Sequence, residues 1–273
     1  TSFGETYQEI EQHGFNINAR IPLEQKDDSR VEITKAMGRG MIGFAEAFKT
    51  LNPDIVVILG DRFEIFTAAS AALMANLPIA HIHGGEVTEG ALDDSLRHAI
   101  TKLAHAHFAV TQDYGNRIIQ MGEAPERVFI TGVPGLDNID QLDLPDQATL
   151  EQELGIDLGE SFFLVTYHPE TIGQHDPARA TRELIQALAE FPKHRVLITG
   201  VNADPDHQPI KDGFKLYAAQ HPTQVHLRTS LGTRLYLAAM KFCSCVIGNS
   251  SSGIIEAPAL NIPTVNIGNR QKG

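Results

Sequence analysis

The sequence has 273 residues, more than the roughly 100 to 200 of one typical domain, so it predicts two domains. Its net charge is −12 and it has no basic cluster, which argues against a nucleic-acid groove or an anionic membrane surface as its partner. The N-terminal stretch TSFGETYQEI lacks a signal-peptide pattern, no apolar run reaches the ~20 residues of a membrane span, and only two cysteines occur, so we expect a soluble, cytoplasmic protein.

Short apolar runs alternate with longer helical patterns along the chain, which is the βαβα rhythm of parallel sheets. In order, the runs are DIVVILG, IAHIHGG, HFAVTQ, RVFITG, FFLVTYH, RVLITG, VHLRTS, CSCVIGN and TVNIG. The polar stretch NIDQLDLPDQATLEQELGIDLGE follows the fourth run and has no strand pattern, so we place the domain boundary in it, near Pro145. The predicted domains are residues 1–143 and 144–273. Ligands of open α/β domains bind beyond the carboxyl ends of the strands, where we therefore expect functional residues.

The segment GRGMIG, residues 38–43, has the glycine spacing of a dinucleotide-binding loop. It lies inside the helical pattern VEITKAMGRGMIGFAEAF, and no apolar strand precedes it. The motif has its meaning only between a strand and a helix, so we interpret these glycines as helix packing and infer no nicotinamide cofactor.

The segment CVIGNSSSGIIEA predicts a strand, a tight turn and a helix. Backbone N–H groups at a helix N-terminus attract anions, so Ser250, Ser251 and Ser252 are candidate phosphate ligands. The alternative is that Ser252 only caps the helix, but three serines exceed what capping needs. Glu256 follows Ser252 by four residues, one beyond capping-box spacing, and is a candidate acceptor for ligand hydroxyls such as those of a ribose.

Ionisable residues cluster after the first two predicted strands. Asp61 and Arg62 follow the first strand in ILGDRFE, where the acid could equally be only a partner of the helix dipole. His81 and His83 end the second strand on one predicted face, and a glycine pair and Glu86 follow them.

The next predicted helix opens with two acids that have basic partners one turn later. Asp93 and Arg97 share a helix face, as do Asp94 and His98. A metal site is a competing interpretation of the nearby histidines, but neither an HExxH helix nor a cysteine cluster supports it.

Strand ends of the second domain add further candidates. His168 ends the first of these strands, where a structural histidine is the alternative. Asn202 and Ser230 occupy the same predicted rim, and Arg270 follows the last strand, from which it could reach a diphosphate.

These motifs in this order resemble the UDP-N-acetylglucosamine 2-epimerase family, and its hydrolysing, sialic-acid-type branch more than its non-hydrolysing one. The motifs that carry the resemblance are GDRFE, HIHGGEVTEGALDDSLRHAITKLAH, TGVPGLD, HPET, GNSSSG followed by Glu256, and NIGNRQKG. The resemblance implies an α/β fold of two Rossmann-like domains in a glycosyltransferase-B-like arrangement, with an interdomain cleft.

The resemblance also implies residue roles. UDP would be held mainly by the C-terminal domain, with the sugar surrounded by residues of both domains. The implied diphosphate contacts are Ser250, Ser251, Ser252 and Arg270, the implied ribose contact is Glu256, and the further UDP contacts are Arg62, Asn202 and Ser230. The implied residues around the sugar are Asp61, Asp93 and His168, with Arg97 nearby.

The sequence departs from its relatives in two respects. Several relatives have a glutamate where this chain has His83, so the acid/base role belongs either to His83 or to Glu86, and the sequence leaves both open. Family members begin with strands before the stretch that resembles FGETYQEI and continue beyond NRQKG, so we expect this chain to lack both ends.

The family's chemistry is anti elimination of UDP to a 2-acetamidoglucal, followed by water addition with inversion at carbon 2. The implied activity is hydrolysis of UDP-N-acetylglucosamine to N-acetylmannosamine and UDP, without a cofactor, in a homodimer or homotetramer. The alternatives are a hydrolysing UDP-N,N'-diacetylbacillosamine 2-epimerase, a glycosyltransferase with the same fold, and an inactive UDP-sugar-binding module.

Overall fold

The computed structural model describes residues 7–27, 29–89, 91–170, 176–202, 204 and 206–272. The start of the FGETYQEI stretch, the end of the HPET motif and Gly90 of the GGEVTEG segment lie outside these residues. The chain divides into two compact units. The first unit holds residues 16–134 and 272, and the second holds residues 7–15 and 135–271.

The helices alternate with the strands along the chain. The helices of the first unit are α2 (Arg30–Leu51), α3 (Phe63–Met74), α4 (Asp93–Leu103) and α5 (Gln112–Gln120). The helices of the second unit are α1 (Tyr7–Gln12), α6 (Asp137–Gln141), α7 (Gln147–Leu154), α8 (Pro177–Ala189), α9 (Gln208–Gln220), α10 (Gly232–Phe242) and α11 (Glu256–Ala259). None of the helices in the described part of the chain combines the length and hydropathy needed to cross a membrane.

The sheet of the first unit is parallel, and its described strands follow one another in sequence order. They are β1 (Val56–Leu59), β2 (Ile79–Ile82), β3 (Ala106–Ala109) and β4 (Val128–Ile130). The second sheet is also parallel and contains β5 (Phe162–Thr166), β6 (Arg195–Thr199), β7 (Val225–Arg228), β8 (Cys245–Gly248) and β9 (Thr264–Asn266). Each strand coincides with one of the nine predicted apolar runs, β3 starting one residue before its run, so the prediction of an α/β fold with two parallel sheets is confirmed.

The second sheet has the order β7-β6-β5-β8-β9, so the strand order reverses at β5. Alternate residues of β5 enter different cores, because successive side chains of a strand point to opposite faces. Phe162 and Leu164 join one buried cluster, and Phe163 and Val165 join the other. Both faces of β5 are therefore covered, and its carboxyl end lies at the switch point where ligands of such sheets bind.

The predicted domain boundary is displaced from the observed one. We predicted it near Pro145, whereas the chain divides between Pro134 and Gly135. The polar stretch carries apolar residues at buried positions: Leu150 is fully buried in the core of the second unit, and Leu144 packs against the same core. The stretch therefore belongs to the second unit rather than forming a linker.

The GRGMIG segment lies within helix α2, as predicted. The helix starts at the N-cap Ser29, whose side chain accepts the N–H of Glu32, and it ends at Asn52 in the left-handed conformation. A Cβ at Gly43 would overlap the side chain of Ile21, and one at Gly40 would crowd Thr67 on α3. The glycines therefore allow close packing on α2.

Candidate active site

A cavity of about 500 Å³ lies at the carboxyl ends of β5, β6 and β8 in the second unit. Its volume falls within the range of roughly 300 to 1,000 Å³ that small-molecule sites occupy. The lining includes six residues selected from the sequence: His168, Asn202, Ser230, Ser250, Ser252 and Glu256. Other lining residues are Gly135, Asn138, Thr166, Thr199, Thr229, Tyr236 and Leu237. The switch point of the second sheet thus has a cavity and most of the predicted ligand residues of this unit.

The turn that carries the three serines differs from the predicted helix N-terminus. Residues Ser251–Gly253 form a 3₁₀ turn, and the helix after it, α11, has only four residues. The helix ends because Asn261 turns the chain with a left-handed φ of 58°, and Pro258 lies in its first turn, where proline is tolerated. An extended helix dipole is therefore absent from this described turn, and the hydroxyls of Ser250 and Ser252 are the polar groups that it presents to the cavity.

Ser251 is exposed and is not among the residues that line the cavity. Its carbonyl oxygen accepts the N–H groups of Ile254 and Ile255 at 2.9 Å. The side chain of Ser250 accepts the N–H of Ser252, so the cap that we considered for Ser252 is provided by Ser250. As a phosphate ligand, Ser251 therefore stays a prediction, and its side chain does not line this cavity.

Five hydroxyl groups form a continuous hydrogen-bonded series along the cavity, which we call the hydroxyl chain. Ser250 Oγ lies 2.6 Å from Ser252 Oγ, which lies 2.9 Å from the phenol oxygen of Tyr236. The phenol lies 3.3 Å from Thr166 Oγ1, which lies 2.7 Å from Thr199 Oγ1. Burial raises the pKa of Tyr236, so the phenol keeps its proton at neutral pH.

His168 is fixed at the carboxyl end of β5 by two backbone contacts. The side chain of Asn249 accepts the N–H of His168 at 2.7 Å and donates to its carbonyl oxygen at 2.8 Å. His168 Nδ1 lies 3.2 Å from the N–H of Asn202. Because a backbone N–H can only donate, Nδ1 accepts, and the proton of the neutral ring is on Nε2. His168 is therefore arranged as a donor.

Arg270, predicted to reach a diphosphate, is buried below the serine turn. Its guanidinium lies 3.6 Å from a carboxylate oxygen of Asp204 and donates to the carbonyl oxygen of Asn249 at 3.4 Å. Glu170 accepts the N–H of Asn269, the preceding residue, at 2.9 Å. Arg270 thus places a cation next to the residue that precedes Ser250, without lining the described cavity.

The candidate residues of the first unit form ion pairs. Arg97, which is buried, donates to a carboxylate oxygen of Asp61 and to Thr88 Oγ1. The sequence predicted an i,i+4 partner for Arg97 in Asp93, but the guanidinium binds the acid after β1 instead. A helical guanidinium can leave its own helix face when a carboxylate on a neighbouring strand end lies within reach. Asp93 is the first residue of α4 and is half-buried.

Other ionic contacts hold the same region together. Asp94 lies 3.8 Å from His98, as the i,i+4 spacing predicted, and it also accepts the N–H of Thr88 at 2.7 Å. Arg62 lies 3.3 Å from Glu64, in the first turn of α3, so in this structure its charge is matched locally.

His81 and His83 do not share a face, contrary to the prediction. His81 is fully buried on β2, where Nε2 lies 2.8 Å from the Gly60 carbonyl oxygen. Burial lowers its pKa to about 4, so it is neutral and structural. The strand ends at Ile82, and His83 has a left-handed φ of 66°, which turns its side chain out of the alternation.

His83 and Glu86, the two alternatives for the acid/base role, are in contact with each other. His83 Nδ1 lies 2.6 Å from a carboxylate oxygen of Glu86, and both side chains are partly exposed. The carboxylate accepts the proton on Nδ1, which leaves Nε2 as the second functional nitrogen of the ring. The chain bends sharply here: a Cβ at Gly85, where φ is 81°, would overlap the Tyr114 carbonyl oxygen. The backbone at Gly85 thus approaches the Tyr114 backbone of α5 closely.

Several residues that line or support the site were not selected from the sequence. Thr166 and Thr199 are the last residues of β5 and β6. Most of the predicted candidates lie after a strand rather than at its last position. Asn249 directly follows β8 and precedes the serine turn. Its position at the end of a predicted apolar run could have identified it. Tyr236 lies in the middle of α10, where nothing in the local pattern distinguishes it from a core residue. In the described residues, no group of three or more histidines, cysteines or acids is arranged to hold a metal ion.

Comparison with known proteins extends over the whole chain. The family described as UDP-N-acetylglucosamine 2-epimerase matches residues 1–273. The GDP/UDP-N,N'-diacetylbacillosamine 2-epimerase (hydrolyzing) of Campylobacter jejuni is 38% identical over 99% of this chain and 70% of its own length. Polysialic acid biosynthesis protein P7 of Escherichia coli is 38% identical over 100% and 69%. The UDP-N,N'-diacetylbacillosamine 2-epimerase (hydrolyzing) of Legionella pneumophila is 35% identical over 98% and 70%.

Solved structures share the fold at low sequence identity. The UDP-GlcNAc 2-epimerase of Neisseria meningitidis bound to UDP-GlcNAc has a TM-score of 0.75 at 17% identity, over 95% of this chain and 71% of that one. The UDP co-structure of S. aureus MnaA has a TM-score of 0.77 at 15% identity, over 96% and 68%. From the full-length family match and the 38% identical relatives, the chain belongs to the UDP-N-acetylglucosamine 2-epimerase family.

Proposed function

We propose that this protein is a hydrolysing 2-epimerase of a UDP-activated 2-acetamido sugar, which releases the free 2-epimeric sugar and UDP. The observation that carries the proposal is the 38% identity, over 99% of the chain, with a relative named as a hydrolysing 2-epimerase. The second unit supports it with a cavity lined by predicted UDP ligands, and the first unit supports it with paired ionisable groups.

UDP is assigned to the cavity of the second unit. The hydroxyl of Ser250 donates to the diphosphate, Ser252 lies behind it in hydrogen-bond contact, and the Nε2–H of His168 donates to the same developing charge. Glu256 accepts from the ribose hydroxyls, while Asn202 and Ser230 complete the rim. Such donors stabilise the negative charge that develops as UDP departs, and donors fixed before the reaction need no reorganisation. Arg270 and the Asp204 carboxylate support the turn from below.

The chemistry at carbon 2 is assigned to the first unit. The hydrogen on carbon 2 is weakly acidic, so its removal needs a general base. The later addition of water needs an acid and a base. The His83–Glu86 contact suits this role, because the carboxylate orients the ring and leaves Nε2 for proton transfer. Asp61 and Asp93 supply further carboxylates around the sugar, with Asp61 held by Arg97. Arg62 stays a proposed UDP contact.

Two sugars are candidates. UDP-N-acetylglucosamine follows from the resemblance to the sialic-acid-type branch, and the P7 relative is named for polysialic acid biosynthesis. UDP-N,N'-diacetylbacillosamine is favoured by the names of the Campylobacter jejuni and Legionella pneumophila relatives. The two substrates differ at carbons 4 and 6 and share the acetamido group at carbon 2, so the same acid/base groups serve either one.

The test is incubation of the purified protein with each UDP-sugar, followed by NMR of the product. We expect UDP and a free reducing sugar with inverted carbon 2 from one substrate in clear preference. A UDP-linked epimer would contradict the hydrolysing assignment, and transfer of the sugar to an added acceptor would favour a glycosyltransferase. Binding of UDP without turnover of either sugar would favour an inactive binding module. The cytoplasmic location and the homodimer or homotetramer stay predictions.

A further inference from the structure

The hydroxyl chain has a direction, which its Thr199 end determines. At one end, the backbone N–H of Ser252 donates to Ser250 Oγ at 3.4 Å. At the other end, Thr199 Oγ1 donates to the Val165 carbonyl oxygen at 3.4 Å. A backbone N–H only donates and a carbonyl only accepts, and each hydroxyl has one hydrogen. All bonds are satisfied together only when each hydroxyl donates away from Ser250, toward Thr199.

If the hydroxyl chain runs in the opposite direction, only one weak hydrogen bond is lost. If every hydroxyl hydrogen rotates to its other neighbour, Thr199 loses the 3.4 Å contact with the Val165 carbonyl and keeps its 2.7 Å contact with Thr166. Ser250 Oγ then accepts from Ser252, and its own O–H becomes available to the cavity. No proton is transferred and no heavy atom has to move.

We infer that an anion bound in this cavity reverses the hydroxyl chain, and that Tyr236 is the positioning residue that makes the reversal effective. This inference rests on the proposed binding of a diphosphate there. In the reversed chain Thr166 donates to Tyr236, Tyr236 to Ser252, Ser252 to Ser250, and Ser250 to a phosphate oxygen. Hydrogen bonds in series polarise one another, so the last hydroxyl becomes a stronger donor than an isolated serine.

Tyr236 is the link with no substitute within the described chain. It joins the threonine pair on β5 and β6 to the serine pair after β8, and these pairs have no other described contact with each other. The phenol is the most acidic of the five hydroxyls and therefore the best donor to Ser252. The raised pKa caused by its burial keeps this proton on the oxygen at neutral pH.

The experiment measures the dissociation constants of UDP and of uridine for the wild-type protein and two variants. Tyr236→Phe removes the phenol oxygen and keeps the ring. Tyr217→Phe is the matched control, because Tyr217 is also a buried tyrosine of the second unit, but it lies on α9 in the core and does not line the cavity. Calorimetry serves for UDP, and an NMR titration serves for the weaker uridine.

We expect Tyr236→Phe to weaken UDP binding about tenfold and to leave uridine binding unchanged, since the hydrogen bond from Ser250 to the charged phosphate loses the donors that support it. Tyr217→Phe should change neither constant. Unchanged UDP affinity in Tyr236→Phe overturns the inference, and so does an equal loss of UDP and uridine, which would indicate a packing defect. A wild-type protein that binds neither ligand overturns the proposed UDP site as well.

A second variant alters the hydroxyl chain one group further from the anion. It also provides a test if Tyr236→Phe does not fold. Thr166→Val keeps the branched shape and removes the donor to Tyr236, so the loss of UDP affinity should be smaller, about twofold to threefold. Equal losses in Thr166→Val and Tyr236→Phe would contradict a directional chain, because the effect must decrease with distance from the anion.

Discussion

The two units present functional groups of different chemical character. The cavity of the second unit is lined largely by uncharged hydroxyl, amide and backbone groups, and Glu256 is the only acid among its described lining residues. In the first unit, the candidate residues are ionisable and in contact as acid–base pairs, Asp61 with Arg97 and His83 with Glu86.

This difference suggests a division of labour. Neutral donors can bind an anion without first breaking a salt bridge, and their hydrogens can rotate to meet it, which suits nucleotide binding. Ionised groups held by partners keep a defined charge and orientation, which suits proton transfer and charge stabilisation. The predictions below test whether substitutions in the first unit affect turnover and substitutions in the second affect UDP affinity.

The largest effect is expected from Asp61→Asn and Asp93→Asn. General acid–base groups typically contribute about 10² to 10⁴-fold to rate, so kcat should fall on that scale. UDP affinity should stay near that of the wild type, because the proposed UDP ligands are mainly in the second unit. Calorimetry with UDP and a turnover assay by NMR separate these two quantities.

The matched control for these variants is Asp113→Asn, because Asp113 is an exposed acid in the first turn of α5 in the same unit. It should turn over at the wild-type rate. In heavy water, the wild-type product should carry deuterium at carbon 2, since the abstracted proton exchanges with solvent. An unlabelled product, or normal turnover in both active-site variants, would contradict elimination and addition in this unit.

The second prediction concerns the stability of the first unit at low pH. The pKa of His81 is about 4 in the folded protein because of burial, against an ordinary value of 6.5. As the pH falls, the unfolded chain takes up this proton first, so the stabilisation is present above about pH 6.5 and is lost between 6.5 and about 4. At about 1.4 kcal/mol per pH unit, the loss amounts to roughly 3 kcal/mol.

Unfolding free energies measured between pH 7 and 4 check this prediction. His81→Gln removes the titrating group, so its stability should depend less steeply on pH than that of the wild type. The exposed His13 provides the control, and His13→Gln should keep the wild-type slope. The buried His107 and the partly buried His98, whose pKa values are also lowered by burial, contribute in the same direction and leave a residual slope. Equal slopes in His81→Gln and the wild type would contradict the assignment.

The third prediction is a loss of UDP affinity in Ser250→Ala. A hydrogen bond to a charged group contributes about 1.5 to 3 kcal/mol, so the dissociation constant should rise at least about tenfold. Ser251→Ala is the control from the same turn, since the Ser251 side chain is exposed and lies outside the cavity lining. A loss of affinity in Ser251→Ala that matches Ser250→Ala would support the sequence-based assignment of all three serines.

The strands and the side-chain contacts of the site differ in how far the sequence predicts them. All nine strands were predictable, because each is an apolar run bounded by turn residues. Strand ends identified His168 and Ser250 for the same reason. The sequence could not reveal that Arg97 binds Asp61, since 36 residues separate them, or that Tyr236 contacts Thr166, 70 residues away. Such contacts depend on which strands lie side by side, and no local period encodes the strand order.

The predicted domain boundary and the predicted helix N-terminus at the serine turn differ from the structure for a more local reason. The polar composition of the stretch after β4 concealed Leu144 and Leu150, which are spaced to meet the core of the second unit. In the serine turn, the small residues predicted a helix N-terminus, but the helix has only four residues because the left-handed Asn261 turns the chain away. In both segments, one or two residues with strong structural preferences outweighed the average composition of the window.

The smallest effect is expected at Glu170, which tests whether hydrogen bonding or charge supports the serine turn. Its carboxylate accepts the N–H of Asn269, and the next residue, Arg270, contacts the Asn249 carbonyl beside Ser250. Glu170→Gln keeps an oxygen acceptor of the same reach, so UDP affinity should change by less than about twofold. Glu170→Ala removes the acceptor and should weaken UDP binding about fivefold, the effect of one ordinary hydrogen bond transmitted through the loop. Calorimetry with UDP distinguishes the variants, and thermal unfolding checks that both are folded. If Glu170→Gln binds as weakly as Glu170→Ala, the negative charge itself matters, and the second unit relies on ionic contacts as the first unit does.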